Sequence, residues 1–312
     1  MIFDRTSSAV LLVQIGVVSL GLIAGARGQA LQPANLTPPT QGGRASVADQ
    51  HSHELTPRRV VTMQPSFTEI VCALGACDRL VATDRYSNWP AEVGALPKAG
   101  GLEDAQIEAI VSVKPDLVLL RRSGRLAERL TELKIPTVSL NPRTYADIAR
   151  TVSLIGEMLG IPNQARALND SIEQEVNEVS RHRAARHGEG PTVYFEVDRG
   201  AAAAGAASFI GELLARLGAR NIVTPELGPF PKLNPEYVVG HNPDVIFASP
   251  ADALQLAARP GWADIRGVKE QRLCSFPAEV RDIISRPGPR VAEGMRAMAA
   301  CLDRVAPSEH VP

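Results

Sequence analysis

Two kinds of apolar pattern, one typical of strands and one of helices, alternate along residues 58–141. Short runs rich in apolar and β-branched residues at 59–63, 80–84, 116–120 and 137–140 predict strands. The run at 116–120 does not alternate with polar residues, so both faces of that strand should be buried, as in parallel sheets. Stretches with helical spacing of apolar residues separate these runs. Strands that alternate with helices predict a parallel α/β sheet.

The second half of the chain repeats the first. Residues 108–119 read EAIVSVKPDLVL, and residues 236–247 read EYVVGHNPDVIF, with Glu, Val and Pro-Asp in register. A second match starts at Ser66, which begins SFTEIVCALGACDRLV, and at Ser208, which begins SFIGELLARLGARNIV. A helix–turn–strand unit present in both halves predicts two similar Rossmann-like lobes. Two such lobes leave a cleft between them, which is where ligands bind.

A helical segment without a counterpart in the repeat separates the two lobes. Residues 142–189 carry apolar residues at helical spacing, interrupted at Ile161-Pro162. Its second part would form a helix of about twenty-four residues, which is about 36 Å long. The sequence therefore predicts an α/β protein in which a single long backbone helix bridges two lobes and the ligand cleft lies between them.

The N-terminus has the pattern of an export signal. Arg5 precedes an apolar stretch at residues 9–26, and Gly28 and Ala30 provide the small residues of a cleavage site near Ala30. An uncleaved membrane anchor is the alternative, because the stretch is nearly long enough to span a bilayer. The predicted divisions are a signal peptide at 1–30, a flexible linker at 31–57, lobes at 58–141 and 190–306, a helical connector at 142–189 and a tail at 307–312.

Composition and motifs exclude several function classes. The chain has 312 residues, a net charge of −1 and no block of Lys and Arg, which disfavours a nucleic-acid binder. It has no glycine-rich nucleotide loop, no G-x-S-x-G elbow and no H-E-x-x-H motif. We therefore expect neither catalytic residues nor a cofactor. A secreted α/β enzyme with dispersed catalytic side chains is the alternative from another class.

The four cysteines fit an oxidising compartment. They are Cys72, Cys77, Cys274 and Cys301, and three pairings exist. Pairing Cys72 with Cys77 and Cys274 with Cys301 keeps each bridge within one lobe. The alternative is that all four are small buried apolar side chains.

Candidate ligand contacts in the first lobe lie in loops that follow strands, where open α/β sheets bind ligands. Gln64 and Ser66 follow the first strand, and Tyr86 and Trp89 follow the second. Aromatic residues make up only 4% of the chain, so two in one polar loop suggest stacking on a planar ligand. Trp89 could instead anchor its own loop. Ser66 is also expected to cap a helix in a capping box with Glu69.

The second lobe contributes fewer candidates. Phe230 lies in the segment LGPFPKL, and Asp282 and Arg286 are four residues apart in RDIISRPGPR. Arg286 could donate hydrogen bonds to a carboxylate or an amide of a ligand. A salt bridge within the loop is the alternative interpretation.

Glu108 and Glu236 are the acidic pair of the repeat. Both are expected in the first turn of a helix, where a carboxylate interacts favourably with the helix dipole. Because they occupy equivalent places in two lobes, they would also form a pseudo-twofold pair. Such a pair suits a partner with true twofold symmetry. The two interpretations are compatible.

Several segments together resemble the class III periplasmic substrate-binding proteins of ABC importers, most closely the cobalamin-binding member with its ferric-siderophore and haem-binding relatives. They are RVVTMQPSFTEIVCALG, VATDRYSNWP, LPKAGGLEDAQIEAIVSVKPDLVLL and SRPGPR. The resemblance covers residues 58–306. It implies two lobes bridged by one helix, with the ligand between them. It also implies that Glu108 and Glu236 pair with arginines of the two permease subunits.

The resemblance places Tyr86, Phe230, Asp282 and Arg286 at ligand-contacting positions. Where the cobalamin binder has a pocket tryptophan, this chain has Gly100-Gly101, and another aromatic position lies near Arg121. Gly101 is thus expected to border a more open or more basic pocket. His241 lies in the repeat helix, which disfavours a bare metal ion as ligand.

The expected function follows from the resemblance. We expect a monomeric periplasmic protein that delivers cobalamin, or another corrinoid, a ferric siderophore or haem, to an inner-membrane ABC permease and its ATPase. A sensing receptor that uses the same cleft with another partner is a further alternative.

Overall fold

A computed structural model gives the fold. Its described residues are 56–101, 103–121, 124–184, 190–198, 200 and 202–306. The predicted signal peptide with its cleavage site near Ala30, almost all of the predicted linker, and the tail lie outside them. Within these ranges, no helix has both the length and the apolar character that crossing a membrane requires.

The first lobe is built on a four-stranded parallel sheet. Its strands are β1 (Val60–Thr62), β2 (Leu80–Thr83), β3 (Leu117–Arg121) and β4 (Thr137–Leu140). They lie side by side in the order β2-β1-β3-β4. The helices of this lobe are α1 (Pro65–Ala73), α2 (Ile107–Ser112) and α3 (Gly124–Glu132). Each helix connects one parallel strand to the next, as this topology requires.

Two helices connect the lobes. They are α4 (Tyr145–Met158) and α5 (Pro162–Ala184). Ala165 near the start of α5 packs in the core of the first lobe, whereas Ile172 and Val176 further along pack in the core of the second. At 23 residues, α5 is about 35 Å long. The predicted bridging helix is therefore present, and α4 runs beside it.

The second lobe repeats the first. Its strands are β5 (Thr192–Phe195), β6 (Arg220–Asn221), β7 (Val245–Phe247) and β8 (Leu273–Cys274). Its helices are α6 (Phe209–Arg216), α7 (Pro235–His241), α8 (Pro250–Ala253), α9 (Arg266–Lys269), α10 (Ala278–Ser285) and α11 (Val291–Val305). The parallel order β6-β5-β7-β8 matches that of the first sheet strand for strand. The predicted two-lobed α/β fold is confirmed.

Alternate residues of β3 enter two separate cores. In β3, Leu117 and Leu119 pack on one face, while Val118 and Leu120 pack on the other, and all four are buried. This follows from the period of two along a strand. Because helices cover both faces, polar alternation would place polar groups in a core. This explains why residues 117–120 are all apolar.

Each disulfide connects two cysteines of the same lobe. The bridge between Cys72 and Cys77 ties the end of α1 to the turn that follows it. The bridge between Cys274 and Cys301 ties β8 to α11. These are the two pairings that the sequence favoured, so the expectation that no bridge connects the lobes is met.

Candidate ligand-binding site

A buried carboxylate holds the loop that follows β2. Asp84 is 1% exposed, and its oxygens accept hydrogen bonds from the Tyr86 amide at 2.7 Å and from Ser87 Oγ at 2.5 Å. Ser87 Oγ also lies 2.7 Å from Thr68 Oγ1 on α1. Burial raises the pKa of Asp84 and lowers the pKa of Lys98, whose amine donates to the Ser87 carbonyl at 2.8 Å. These bonds hold the backbone that carries Tyr86.

Two aromatic side chains project from this loop. Tyr86 is 61% exposed and Trp89 is 38% exposed. A Cβ atom at Gly101 would come within 3.3 Å of Tyr86 Cε2, so the glycine leaves room for the tyrosine ring. The guanidinium of Arg290, from the second lobe, lies over the Trp89 ring at 4.5 Å from its centroid. The structure thus brings together three of the predicted contacts, Tyr86, Trp89 and Gly101.

Helix α1 does not begin as predicted. Its N-cap is Gln64, without a side-chain cap, and Pro65 is the first helical residue. The predicted capping box between Ser66 and Glu69 is therefore wrong. Proline at the first position of a helix, where an amide donor is not needed, explains the shifted start. Ser66 is fully buried, and its Oγ has no hydrogen-bond partner among the described residues; the same holds for Gln64 Oε1.

Glu69 instead connects the lobes. It is 1% exposed, and its carboxylate accepts from Arg290 Nη2 at 2.7 Å and Nε at 3.0 Å. Arg286 Nη1 donates to the same carboxylate at 2.8 Å. Both arginines belong to the second lobe. We call Glu69, Arg286 and Arg290 the inter-lobe ion cluster. A buried carboxylate with two guanidiniums is an ion pair that loses much stability if one member is removed.

Arg286 has acceptors on both sides of the interface. Besides Glu69, it donates to Asn88 Oδ1 at 2.8 Å, to the Tyr86 carbonyl at 3.1 Å and to Asp282 Oδ2 at 2.6 Å. It is 8% exposed. The sequence suggested either a ligand contact or a salt bridge for this residue, and the structure shows the salt bridge. Its donors hold the aromatic loop of the first lobe against α10 of the second.

A pocket of about 240 Å³ opens at the carboxyl ends of β5, β7 and β8. Its apolar walls include Phe195, Val197, Ile210, Phe247, Phe276 and Ile284. Asp282 also lines it, and Asn88 Nδ2 of the first lobe donates to Asp282 Oδ2 at 3.2 Å. The pocket therefore borders the contact between the lobes. Its volume is just below the usual range for small-molecule sites, so a large ligand would fill it with one part only.

Three ionisable side chains line this pocket: Glu196, Arg281 and Asp282. Glu196 is buried, and Arg259 binds it with two hydrogen bonds, at 2.5 and 2.9 Å. The hydrogen bonds and charge of Glu196 raise the pKa of Arg259 despite its partial burial. Asp282 pairs with Arg286. The guanidinium of Arg281 is exposed and makes no hydrogen bond or ion pair with any residue in the described ranges.

The remaining predicted contact, Phe230, is placed elsewhere. Its ring packs beside Phe209, with centroids 6.4 Å apart, against the core of the second lobe, and it does not line the pocket. Sequence reasoning missed Phe195, Phe276 and Arg281. Phe195 is the last residue of β5 and Phe276 follows β8, so the strand-end rule used for the first lobe would have found them.

Glu108 and Glu236 have equivalent surroundings. Both are exposed in the first turn of a short helix, α2 or α7, that leads into the third strand of its lobe in sequence. Asn234 Oδ1 caps α7 by accepting from the Glu236 amide at 3.0 Å. The interaction with the helix dipole predicted for both acids is thus available to each.

The described part of the chain contains no cluster of three or more His, Cys, Asp or Glu side chains that could hold a metal ion. His241 lies exposed at the end of α7, where its Nδ1 is 2.8 Å from the Tyr237 carbonyl. Its ring also stacks on Tyr237. His241 of the repeat helix therefore has a local structural role.

Comparison with known families identifies this architecture. Residues 60–280 match the family model described as periplasmic binding protein. The chain belongs to this family. The match includes both sheets, the connecting helices and the pocket residues Phe195 and Phe276, whereas Arg286 and Arg290 lie just beyond it.

Individual relatives of this binding protein agree with the family. It is 28% identical, over 79% of its length and 80% of the relative's, to an ABC transporter substrate-binding lipoprotein of Bacillus subtilis. It is 26% identical to a vitamin B12-binding protein of Pectobacterium atrosepticum, over 75% of this chain and 85% of that one. A periplasmic haem-binding protein from Roseiflexus sp. RS-1 has the same fold, with a TM-score of 0.68 and 22% identity over 80% of this chain and 99% of that one.

Proposed function

We propose that this binding protein captures cobalamin or a related metal chelate between its lobes and delivers it to an inner-membrane ABC importer. The ligand is bound and released without covalent change. The observation that carries the proposal is the pocket at the carboxyl ends of β5, β7 and β8. Its lining residue Asp282 contacts Asn88, in the loop that also carries the exposed rings of Tyr86 and Trp89. The vitamin B12-binding relative favours cobalamin among the candidate chelates.

The proposed site has an apolar wall on each lobe. Phe195 and Phe276 in the pocket and Tyr86 and Trp89 on the facing loop offer flat surfaces suited to a macrocycle. Asp282 lies at the rim, where it can meet polar groups of the ligand. Of the other predicted contacts, Gly101 would act by leaving space for the tyrosine. Arg286 would act by holding the loop. Gln64 and Ser66, whose buried oxygens have no hydrogen-bond partner among the described residues, stay predicted ligand contacts.

The proposed location is the periplasm. The apolar N-terminal stretch with its small-residue site near Ala30 supports export as a soluble protein. The two disulfides agree with an oxidising compartment. The substrate-binding lipoprotein among its relatives supports an ABC permease and its ATPase as partners.

The absorption spectrum of the protein purified from its native host tests the ligand class. Corrinoids and haem absorb visible light with distinct spectra, as do ferric siderophores. We expect a corrinoid-like spectrum, or its appearance when cobalamin is added to the ligand-free protein. Calorimetric titration with cobalamin then gives the stoichiometry, for which we expect one. Lack of binding to cobalamin and to every other chelate tested would reject the proposal, and turnover of a substrate would support an enzyme instead.

Docking to the importer is proposed to use Glu108 and Glu236. Both are exposed and lie at equivalent positions of the two lobes, as a permease with twofold symmetry requires. In the double variant Glu108→Arg with Glu236→Arg, we expect ligand affinity to change less than about twofold, because surface charges far from a site affect it little. Uptake of labelled cobalamin by cells that depend on this protein should be lost.

A matched double variant controls for added positive charge. Asp78→Arg with Glu270→Arg makes the same change at two exposed acids, one in each lobe, which precede β2 and β8 and so lie near the amino ends of the strands. Uptake should persist in this control. Uptake that survives reversal of Glu108 and Glu236, or that is lost in both double variants, would contradict the docking role.

A further inference from the structure

One positive charge in the pocket is not matched by the protein. Glu196 is neutralised by Arg259, and Asp282 is neutralised by Arg286. Of the three ionisable side chains that line the pocket, Arg281 is the one without a partner among the residues that the structure describes. It is carried on α10, which also supplies Asp282 and the apolar residue Ile284 to the lining.

The surroundings of Arg281 favour an anion. Phe195, Phe247 and Phe276 form an apolar wall of the same pocket, and water excluded by a bound ligand would leave the guanidinium poorly solvated there. A carboxylate is the complement that a guanidinium binds best, with two parallel hydrogen bonds. A pocket of about 240 Å³ has room for a side arm and part of a ring, but not for a whole corrinoid or porphyrin.

We propose that Arg281 selects macrocyclic chelates that carry a carboxylate side arm, and that this arm enters the pocket of the second lobe. The inference rests on the proposed function, since it specifies which chelates the same site prefers. It also assigns the ligand-facing cation to Arg281 rather than to Arg286. Arg286 is buried and already donates to Glu69, Asp282, Asn88 and Tyr86.

Two pairs of probes differ only in the acid. The first pair is cobalamin and a derivative with one side-chain amide hydrolysed to the carboxylic acid. The second pair is haemin and its dimethyl ester. For whichever pair the wild-type protein binds, we expect the acid to bind about fivefold or more tightly than its neutral partner, as judged by titration at low salt. This size is that of a partly exposed charged hydrogen bond. The preference should shrink as salt is added.

Variants assign the preference to one side chain. Arg281→Gln should reduce the difference between acid and neutral partner to within about twofold while leaving the affinity for the neutral partner nearly unchanged. Arg281→Lys should keep part of the preference. Arg266→Gln is the matched control, because Arg266 is an exposed arginine that contacts Asp244, directly before β7, at the opposite edge of the same sheet. This control should behave as wild type.

The outcomes distinguish the role of Arg281 from the proposed function. Chelate binding with no preference for the acid in the wild type, or a preference that Arg281→Gln retains, would overturn the role of Arg281 and leave the proposed function standing. A preference lost equally in Arg266→Gln would also overturn it. Binding of neither pair by the wild-type protein would overturn this inference, and failure to bind any chelate would remove the proposed function as well.

Discussion

After β2, the buried carboxylate of Asp84 determines the position of the exposed Tyr86 ring. Asp84 accepts from the Tyr86 amide and from Ser87, so the backbone of the loop is held while the Tyr86 ring points to solvent. A ring held before the ligand arrives loses less side-chain entropy on binding. This arrangement buries the Asp84 carboxylate away from water, and burial raises its pKa.

Removing this carboxylate should weaken both the fold and ligand binding. In Asp84→Ala, the hydroxyl of Ser87 and the amine of Lys98 lose a buried acceptor or charge partner, which should lower the free energy of unfolding by about 2 kcal/mol. Ligand affinity should fall about tenfold because the aromatic loop is no longer held. Urea unfolding and titration with cobalamin measure the two effects.

Asp78→Ala is the control for this change. Asp78 is an exposed carboxylate of the same lobe that lies before β2 instead of after it. Its replacement should change the free energy of unfolding by less than about 0.5 kcal/mol. If Asp84→Ala lowers stability but leaves ligand affinity as in Asp78→Ala, the loop does not form part of the site.

At the scale of elements, the start of α4 is where the connector meets the second lobe. The Tyr145 amide donates to Glu212 Oε2 of α6 at 2.6 Å. Thr144, the residue before it, forms a capping box with Asp147, whose carboxylate accepts from the amides of Thr144 and Arg143. Burial alone would raise the pKa of Asp147, but these hydrogen bonds outweigh burial and lower it.

This shift predicts how the cap depends on pH. A carboxylate whose pKa is lower in the folded state stabilises the fold above its ordinary value of 3.8, and its contribution is lost as pH falls through the folded-state value. Asp147→Asn should therefore lose about 1 kcal/mol at pH 7, the size of a helix cap. The difference from wild type should shrink below about pH 4. Urea unfolding at pH 7 and at pH 3 measures it.

Asp170→Asn separates the cap from a general effect of charge. Asp170 is exposed on α5, in the same connector. Its replacement should leave the free energy of unfolding within about 0.5 kcal/mol of wild type at both pH values. A loss in Asp147→Asn that stays constant from pH 7 to pH 3 would show that the carboxylate charge is not what stabilises the cap.

Elements of this protein were predictable because their signals are local. Residues 117–120 of β3 are all apolar, and a strand buried on both faces requires that composition. The internal repeat predicted two equivalent sheets, and their strand orders agree. The start of α1 was missed because Pro65 permits the helix to begin two residues earlier than an N-cap at Ser66 would place it.

The site was less predictable because its contacts are distant in sequence. Glu69 and its partners Arg286 and Arg290 are separated by more than two hundred residues, and no spacing rule connects them. The strand-end rule found Tyr86 and Trp89 but was not applied to β5 and β8. Whether Arg281 has an ionic partner depends on which of the neighbouring charged side chains pair with each other. Only the folded arrangement shows that.

At the scale of the whole described fold, the two lobes are joined in two separate ways. The connector contributes packing, since α5 contacts the core of both lobes. The inter-lobe ion cluster adds a second junction, at the side where the aromatic loop meets α10. Two junctions restrict relative motion more than a helix alone. We therefore expect ligand binding to proceed with little change in the separation of the lobes.

The inter-lobe ion cluster should be strongly stabilising in place. Glu69→Gln leaves Arg286 with Asp282 as its carboxylate and takes from Arg290 the carboxylate that it binds. Removing one partner of a buried pair costs about 3–5 kcal/mol. We expect that loss in urea unfolding. Hydrogen exchange should also increase in α1 and in residues 286–290, because the junction opens locally before the fold unfolds.

Glu175→Gln tests whether burial is the reason for the large loss of stability expected in Glu69→Gln. Glu175 on α5 accepts from Arg296 on α11 at 2.7 Å, a distance like those in the cluster, but both side chains are nearly half exposed. Solvent-exposed pairs contribute about 0–1 kcal/mol, so this variant should lose little stability and keep normal exchange at the junction. Equal losses in the two variants would mean that the cluster behaves as a surface salt bridge. The lobes would then be held at their separation by the connector, and the aromatic loop would not depend on Glu69 for its position.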